Sequence, residues 1–143
     1  MFFLARELED TMSFKRIIVG FGVFFVLISC VSNTSIAHEW MAPKRIADAK
    51  NPIKMSSASI EKGKISYTQN CAVCHSNNLE GLPAEKVGLE MDSPNLKKRI
   101  RTHSDGDFFW KIQEGRGEMP SFMNDLSHED TWHVINYIRA STD

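Results

Sequence analysis

The pattern of apolar and polar positions divides the chain into an apolar N-terminal part and a longer mixed part. Ile17 to Cys30 form an almost unbroken apolar run after Lys15 and Arg16, and a short polar stretch then ends in Ala37. A basic start, an apolar centre of about 13 residues and small residues at the end are typical of a secretory signal peptide. We therefore expect residues 1–37 to be an N-terminal extension and signal peptide, cleaved after Ala37.

Two other interpretations of this segment stay open. Leu27 to Cys30 also fit a lipoprotein cleavage box, in which Cys30 becomes the lipidated N-terminus. The run could also remain as an uncleaved anchor, although it is short for a membrane span. Met12 is expected to be the true start, because it places the basic pair close to the N-terminus. All three interpretations export the rest of the chain.

Helical periodicity and capping residues predict three main helices in the exported part. The serine-rich residues Ser56 to Ser59 offer N-caps for a helix over Ile60 to Asn70. Ser104 to Gly115 begin with a capping serine and end in glycine, which predicts a second helix. Ser127 offers a cap for the third helix. The apolar positions of this last helix recur at helical spacing, at Val134, Ile135, Tyr137 and Ile138.

The remaining segments predict loops rather than strands. Residues 38–58 contain two prolines and scattered charges, which predicts an irregular arm. Asn77 to His103 are rich in Asn, Gly and Pro without a sustained period, which predicts a long loop. Since no stretch alternates as a strand does, the fold class is expected to be all-α, with residues 59–143 as one domain.

The composition and net charge of the chain narrow the classes of protein to which it can belong. The chain has 143 residues, of which 42% are hydrophobic and 24% charged, with a net charge of -1. A nucleic-acid-binding domain is normally basic, so that class is not supported. This composition also argues against a disordered chain.

Cys71, Cys74 and His75 form the most informative motif. Two thiols at this spacing can add to the two vinyl groups on one edge of a haem, and the next histidine can bind the iron. A disulfide and a zinc site remain alternatives, although zinc needs four ligands. A redox-active pair would need a thioredoxin-like setting with strands. The motif therefore predicts one covalently attached haem c.

A second axial ligand of the iron is sought among the methionines and later histidines. Met119 stands in a glycine- and proline-rich loop, Gly115 to Phe122, that can bring a side chain close to a flat ring. Pro120 stiffens that loop. Met123 is the next candidate.

These residues together resemble the class I c-type cytochromes, over about Ser59 to Ala140. The resemblance implies an all-α fold around one haem, with Met119 as the distal ligand. It also implies that Gly63 on the first helix packs against Tyr137 on the last. In this family a proline carbonyl accepts a hydrogen bond from the ligand histidine, which implies Pro83, with Pro94 as the alternative.

Other candidate residues have ordinary structural alternatives. Trp110 and Phe109 are candidates for the haem pocket, with core packing as the alternative. Arg116 is a candidate partner for a haem propionate. Lys97 to Arg101 form a basic run that is expected to be a solvated face. Surface positions are expected for His103, His128 and His133.

A haem iron with histidine and methionine ligands has no open position, so electron carriage is expected rather than enzymatic activity. The expected partners are redox proteins, namely a membrane donor and a terminal oxidase or reductase. The expected location is the periplasm or the outer face of the cytoplasmic membrane. The alternative function is a haem-bearing subunit of a stable dehydrogenase or reductase complex, with residues 38–56 as its docking segment.

Overall fold

The computed structural model describes residues 40–142, and this part of the chain is all-α, as the sequence predicts. The predicted signal peptide at residues 1–37 lies outside the described residues. Between residues 40 and 142 we find no helix with the length and apolar character that a membrane span needs. The helices are α1 (Lys44–Ala47), α2 (Ser57–Asn70), α3 (Ala72–His75), α4 (Ala84–Val87), α5 (Leu96–Arg99), α6 (Asp105–Glu114) and α7 (His128–Ala140).

Each of the three long helices begins after a capping serine, as the sequence predicts. The serine side chain accepts a hydrogen bond from a backbone N–H that has no partner within the helix. Because Ser56 is the cap of α2, that helix begins at Ser57 rather than at the predicted Ile60. The capping bonds run to Ser56 from Ser59 N (3.2 Å), to Ser104 from Asp107 N (3.1 Å) and to Ser127 from Asp130 N (3.0 Å).

Single helical turns occur in both segments that the sequence predicts to be irregular. The arm contains α1, and the loop from Asn77 to His103 contains α4 and α5. The loop predictions are wrong at these turns, because four residues are too few to display a hydrophobic period. One local signal does exist, since the Asn95 side chain caps α5 by accepting from Lys98 N at 3.0 Å.

Helices α2 and α7 cross at a distance that only a glycine permits. A Cβ on Gly63 would overlap the backbone carbonyl oxygen of His133 and lie 3.0 Å from the Cβ of Tyr137. The expected packing of Gly63 against Tyr137 is therefore confirmed, with the His133 backbone as the closer contact. This explains why α2 tolerates a residue that weakens a helix interior.

The core lies between this crossing and helix α6. Its fully buried residues include Tyr67, Ile100, Val134 and Ile135. His103 and His133 are also buried, at 8% and 5% exposure, so their predicted surface positions are wrong. His133 is accommodated because Ser59 Oγ lies 2.8 Å from its Nδ1. This polar pair lets α7 bury a histidine beside its apolar face. His128 is exposed, as expected.

The arm packs onto α6 of the domain. Ala42 N donates a hydrogen bond of 2.7 Å to the buried Asp107 side chain. A Cβ on Gly106 would overlap the backbone carbonyl oxygen of Ile46, so the arm and α6 are in direct backbone contact. Asn51 donates to the Trp132 carbonyl at 3.0 Å. These contacts make residues from 40 onward part of the folded unit.

Candidate functional site

The Cys-x-x-Cys-His motif lies at the C-terminal end of α2. Cys71 follows the last residue of α2, and Cys74 and His75 occupy the single turn α3. The Cys71 carbonyl accepts from Cys74 N at 3.2 Å and from His75 N at 2.9 Å. Both cysteines carry free thiols. One helical turn thus presents two thiols and an imidazole in succession.

Burial disfavours the charged forms of the first cysteine and of the histidine of this motif. Burial, followed by the nearby Cys74, raises the pKa of the Cys71 thiol to about 12. Burial lowers the pKa of His75, and a hydrogen bond to the Pro94 carbonyl partly opposes that shift. A neutral imidazole has a free lone pair, which is the form that binds a metal. Burial therefore favours the form of His75 that can bind a metal.

The carbonyl that faces the His75 ring belongs to Pro94 rather than to Pro83. His75 Nδ1 lies 3.4 Å from Pro94 O. Pro83 instead precedes α4 as its N-cap residue. The expectation for Pro83 is wrong in this structure, because the loop after His75 turns back and returns the later proline to the ring. Such a contact fixes which ring nitrogen is free for the metal.

The turn directly after His75 is held by a buried tyrosine. Ser76 has a φ of 64°, an uncommon value for a residue other than glycine. The hydroxyl of Tyr67, which has no exposed surface, donates to the Ser76 carbonyl at 2.7 Å. The sequence analysis missed this role of Tyr67. No sequence signal indicates it, because the hydroxyl contacts a backbone atom.

Met119 lies in a tight turn that is closed by two backbone hydrogen bonds. Arg116 N donates to Met119 O at 2.9 Å, and Met119 N donates to Arg116 O at 3.1 Å. Gly117, inside the turn, has a φ of 60° that suits glycine. Met119 is partly buried and packs against the hydrophobic core, as Cys71 also does. Met123, the other candidate, is 52% exposed.

The segment that follows Met119 is anchored to helix α6. Ser121 Oγ donates to Gln113 O at 2.6 Å, and Phe122 N donates to Ile112 O at 3.1 Å. A Cβ on Gly115 would lie 2.5 Å from the carbonyl carbon of Pro120. The two ends of the Met119 turn, at Gly115 and Pro120, therefore pack closely against each other.

The predicted pocket residues occupy different surroundings. The Trp110 ring lies 6.4 Å from the Trp40 ring of the arm, between ring centres. Phe109 instead stacks on Trp132 at 4.3 Å and packs against the core. Arg116 is exposed at the start of the Met119 turn. Of the two aromatic candidates, Phe109 is the one beside the same core as Cys71 and Met119.

The alternatives for the cysteine motif find no support in the described residues. Within residues 40–142 no three side chains of His, Cys, Asp or Glu converge to hold a metal ion. The residues present do fit a haem. They supply two free thiols, an imidazole and a thioether, and Cys71 and Met119 among them pack against the hydrophobic core. The all-α fold with these features defines the class of c-type cytochromes.

Comparison with known proteins agrees with this class. Residues 58–138 match the family model described as cytochrome c oxidase, cbb3-type, subunit III, and the chain belongs to this family. Cytochrome c550 of Pseudomonas aeruginosa is 28% identical over 98 residues, which cover 64% of this chain and 61% of that protein. Cytochrome c6 of Bumilleriopsis filiformis is 29% identical over 90 residues, which cover 60% of this chain and 95% of that protein.

A shorter similarity involves a larger protein. Over 46 residues the chain is 44% identical to the cbb3-type cytochrome c oxidase subunit CcoP of Azospirillum brasilense, covering 32% of this chain and 15% of that protein. Membership in the c-type cytochromes assigns a covalently bound haem c to this chain. It also assigns electron transfer, rather than the catalysis of a reaction, as its activity.

Proposed function

We propose that this protein carries one electron at a time through a haem that is bound covalently by Cys71 and Cys74 and ligated by His75 and Met119. The observation that carries this proposal is the packing of Met119. Its side chain lies against the same buried cluster as Cys71, whereas Met123 is 52% exposed. Met119 is the partly buried methionine that packs against this cluster, and the exposed fractions of Met41, Met55, Met91 and Met123 are 45% or more.

Each residue would contribute a separate property. When bound, the haem iron supplies a one-electron couple, and a thioether ligand favours its reduced state. Cys71 and Cys74 would retain the group through two carbon–sulfur bonds. His75 would offer its Nε2, because its Nδ1 faces the Pro94 carbonyl. Met119 would supply its thioether sulfur as the second protein ligand of the iron, so that a substrate would have no open site.

The proposed partners are redox proteins, a membrane donor and a terminal oxidase or reductase. Support comes from the oxidase subunit named in the family description and in one relative. Val73, between the two cysteines, is 70% exposed and offers an apolar contact beside the haem attachment site. A small contact of this kind suits brief, weak encounters. The apolar segment before residue 38 supports a location outside the cytoplasmic membrane.

A second candidate function is that of a haem-bearing subunit in a stable redox complex. The family description, which names an oxidase subunit, favours it. Use of the arm as a docking segment is less favoured, because Ala42 and Asn51 bind their own domain. In this arm Met41 and Met55 are about half exposed and would be the residues left for a partner.

The experiment that tests the proposal is an optical spectrum of the oxidised, haem-loaded protein. A methionine sulfur bonded to ferric haem gives a weak far-red band. We expect this band in the wild type and in Met123→Ala, and we expect it to be absent in Met119→Ala. Mass spectrometry of the unfolded chain should show the haem still attached, and Cys71→Ala with Cys74→Ala should abolish that attachment.

Other outcomes would change the interpretation. A wild type without the band would have an open or a nitrogen-ligated iron. An open iron would replace electron carriage with the binding of small ligands as the hypothesis, whereas a nitrogen ligand would keep electron carriage and overturn the assignment of Met119. Loss of the band in Met123→Ala alone would reassign the ligand. Size-exclusion chromatography of a native extract separates the two functions, since a free carrier elutes alone and a stable subunit elutes with its partners.

A further inference from the structure

Gly81 lies where the loop after His75 closely approaches the backbone of Ser93 and Pro94. Its φ is 82°, a value that favours glycine. A Cβ at this position would overlap the backbone carbonyl oxygen of Ser93. It would also lie 2.8 Å from the Ser93 carbonyl carbon and 3.1 Å from that of Pro94. Any side chain here would have to displace the segment that carries the Pro94 carbonyl.

Backbone hydrogen bonds connect Gly81 to both sides of the His75 contact. Gly81 N donates to the His75 carbonyl at 3.1 Å. Next to Gly81, the Leu82 carbonyl accepts from Ser93 N at 3.0 Å. Leu96 N donates to the Leu79 carbonyl at 2.8 Å, which closes the other end of the paired segments. Gly81 is therefore linked by hydrogen bonding to His75 and packed against the segment that carries the Pro94 carbonyl.

The contact that this arrangement supports is sensitive to small displacements. His75 Nδ1 and Pro94 O are 3.4 Å apart, at the long end of the range for a hydrogen bond. A shift of a few tenths of an ångström would break it. The overlap predicted for a Cβ on Gly81 requires a shift of at least this size. The distance between the backbone at Gly81 and the backbone at Ser93 and Pro94 thus controls the hydrogen bond between His75 and Pro94.

We propose that Gly81 is a positioning residue that sets the hydrogen bond between His75 and Pro94 and thereby lowers the reduction potential of the haem. A hydrogen bond from Nδ1–H to a carbonyl makes the imidazole a stronger electron donor. A stronger donor favours the ferric state, so loss of the bond favours reduction. This inference rests on the proposed ligation of the haem by His75.

The test compares two glycine variants of the haem-loaded protein. Gly81→Ala introduces a Cβ into the close approach. Gly88→Ala is the matched control, because Gly88 also has a positive φ, of 72°, but a Cβ there meets nothing within 4 Å. The readout is the equilibrium with a redox mediator. We expect the equilibrium constant for reduction to rise by roughly threefold to tenfold in Gly81→Ala only, a tenfold change being about 59 mV for one electron.

A second variant keeps the test decisive if Gly81→Ala does not mature. Pro94→Gly retains the carbonyl but frees the backbone that carries it, and we expect the same direction of change. An unchanged equilibrium in Gly81→Ala, or an equal change in Gly88→Ala, overturns the proposal. If Gly81→Ala lacks haem, an unchanged equilibrium in Pro94→Gly overturns it instead. If the role of Gly81 is overturned but the wild type carries haem and shows the far-red band, the proposed function still stands.

Discussion

The backbone carbonyl of His133 occupies the space beside Gly63 that a side chain would need. The two helices that carry these residues enclose the core, and α2 leads directly into Cys71. The geometry of the crossing therefore affects both the stability of the fold and the position of the cysteine motif. It also places a close contact between two segments far apart in the sequence.

Replacing Gly63 by alanine is expected to separate these helices. Because the new Cβ would overlap a backbone atom, it cannot be relieved by a side-chain rotation. We expect the free energy of unfolding of the haem-loaded protein to fall by about 3 kcal/mol. Denaturation in guanidinium chloride measures this loss. Lys64→Ala, at an exposed position of the same helix, should change the free energy little, and an equal loss there would contradict the explanation.

Removal of the Asp107 carboxylate is expected to release the arm. This side chain is 1% exposed, lies 2.6 Å from Lys111 Nζ and accepts the bond from Ala42 N. Asp107→Ala leaves both donors without their acceptor, and we expect a loss of about 3 kcal/mol in the free energy of unfolding. Limited proteolysis should then cut within residues 40–56 faster than in the wild type.

The control for this change is Asp48→Ala. Asp48 pairs with Lys44 one turn away in the arm, but both side chains are more than half exposed. We expect a loss below about 0.5 kcal/mol and unchanged proteolysis. If Asp107→Ala left the cleavage rate of the arm unchanged, the contact with Ala42 would not be what holds the arm.

Loss of the Tyr67 hydroxyl is expected to weaken the turn that follows His75. Tyr67→Phe keeps the ring pair with Tyr137, whose centre lies 5.3 Å away, but removes the donor to the Ser76 carbonyl. We expect a loss of about 1 kcal/mol in the free energy of unfolding at neutral pH. Tyr137→Phe, which removes a hydroxyl from a partly buried position, should cost less.

The same tyrosine predicts a dependence on alkaline pH. Burial, followed by the neighbouring Cys71 and Tyr137, raises the pKa of Tyr67 above its ordinary value. Its contribution to stability is therefore full below about pH 10, the value for an unfolded chain, and is lost as the pH rises further. Unfolding measured between pH 9 and about pH 11 should show a smaller alkaline loss in Tyr67→Phe than in the wild type. An equal loss in both proteins would exclude Tyr67 as its source.

The turn that carries Met119 offers a matched pair of glycines. Gly115 and Gly117 have φ values of 67° and 60°, but only a Cβ on Gly115 would meet neighbouring atoms, at 2.5 Å. The far-red band should disappear at a temperature about 5 °C lower in Gly117→Ala than in the wild type, because alanine is strained at a positive φ. Gly115→Ala should lower this temperature at least twice as far. Equal shifts would mean that packing against Pro120 does not stabilise the turn.

Several features of this protein follow from local sequence alone. The ends of α6 and the start of α7 were predictable, because Ser104, Gly115 and Ser127 act on residues within one turn. The cysteine motif was equally informative, since its chemistry depends on spacing along one helical turn. The packing of Gly63 also matched expectation, but that expectation came from the resemblance to the class I c-type cytochromes rather than from local sequence.

Other features depended on residues distant in the sequence and were decided by the tertiary structure. Pro83 and Pro94 look alike as loop prolines, and only the pairing of Leu82 with Ser93 decides which carbonyl faces His75. The burial of His133 likewise depends on Ser59 across the helix crossing. Local sequence determines caps, turns and the chemistry of a motif, whereas long-range contacts depend on how the whole backbone closes, because their energy is gained only when distant segments meet.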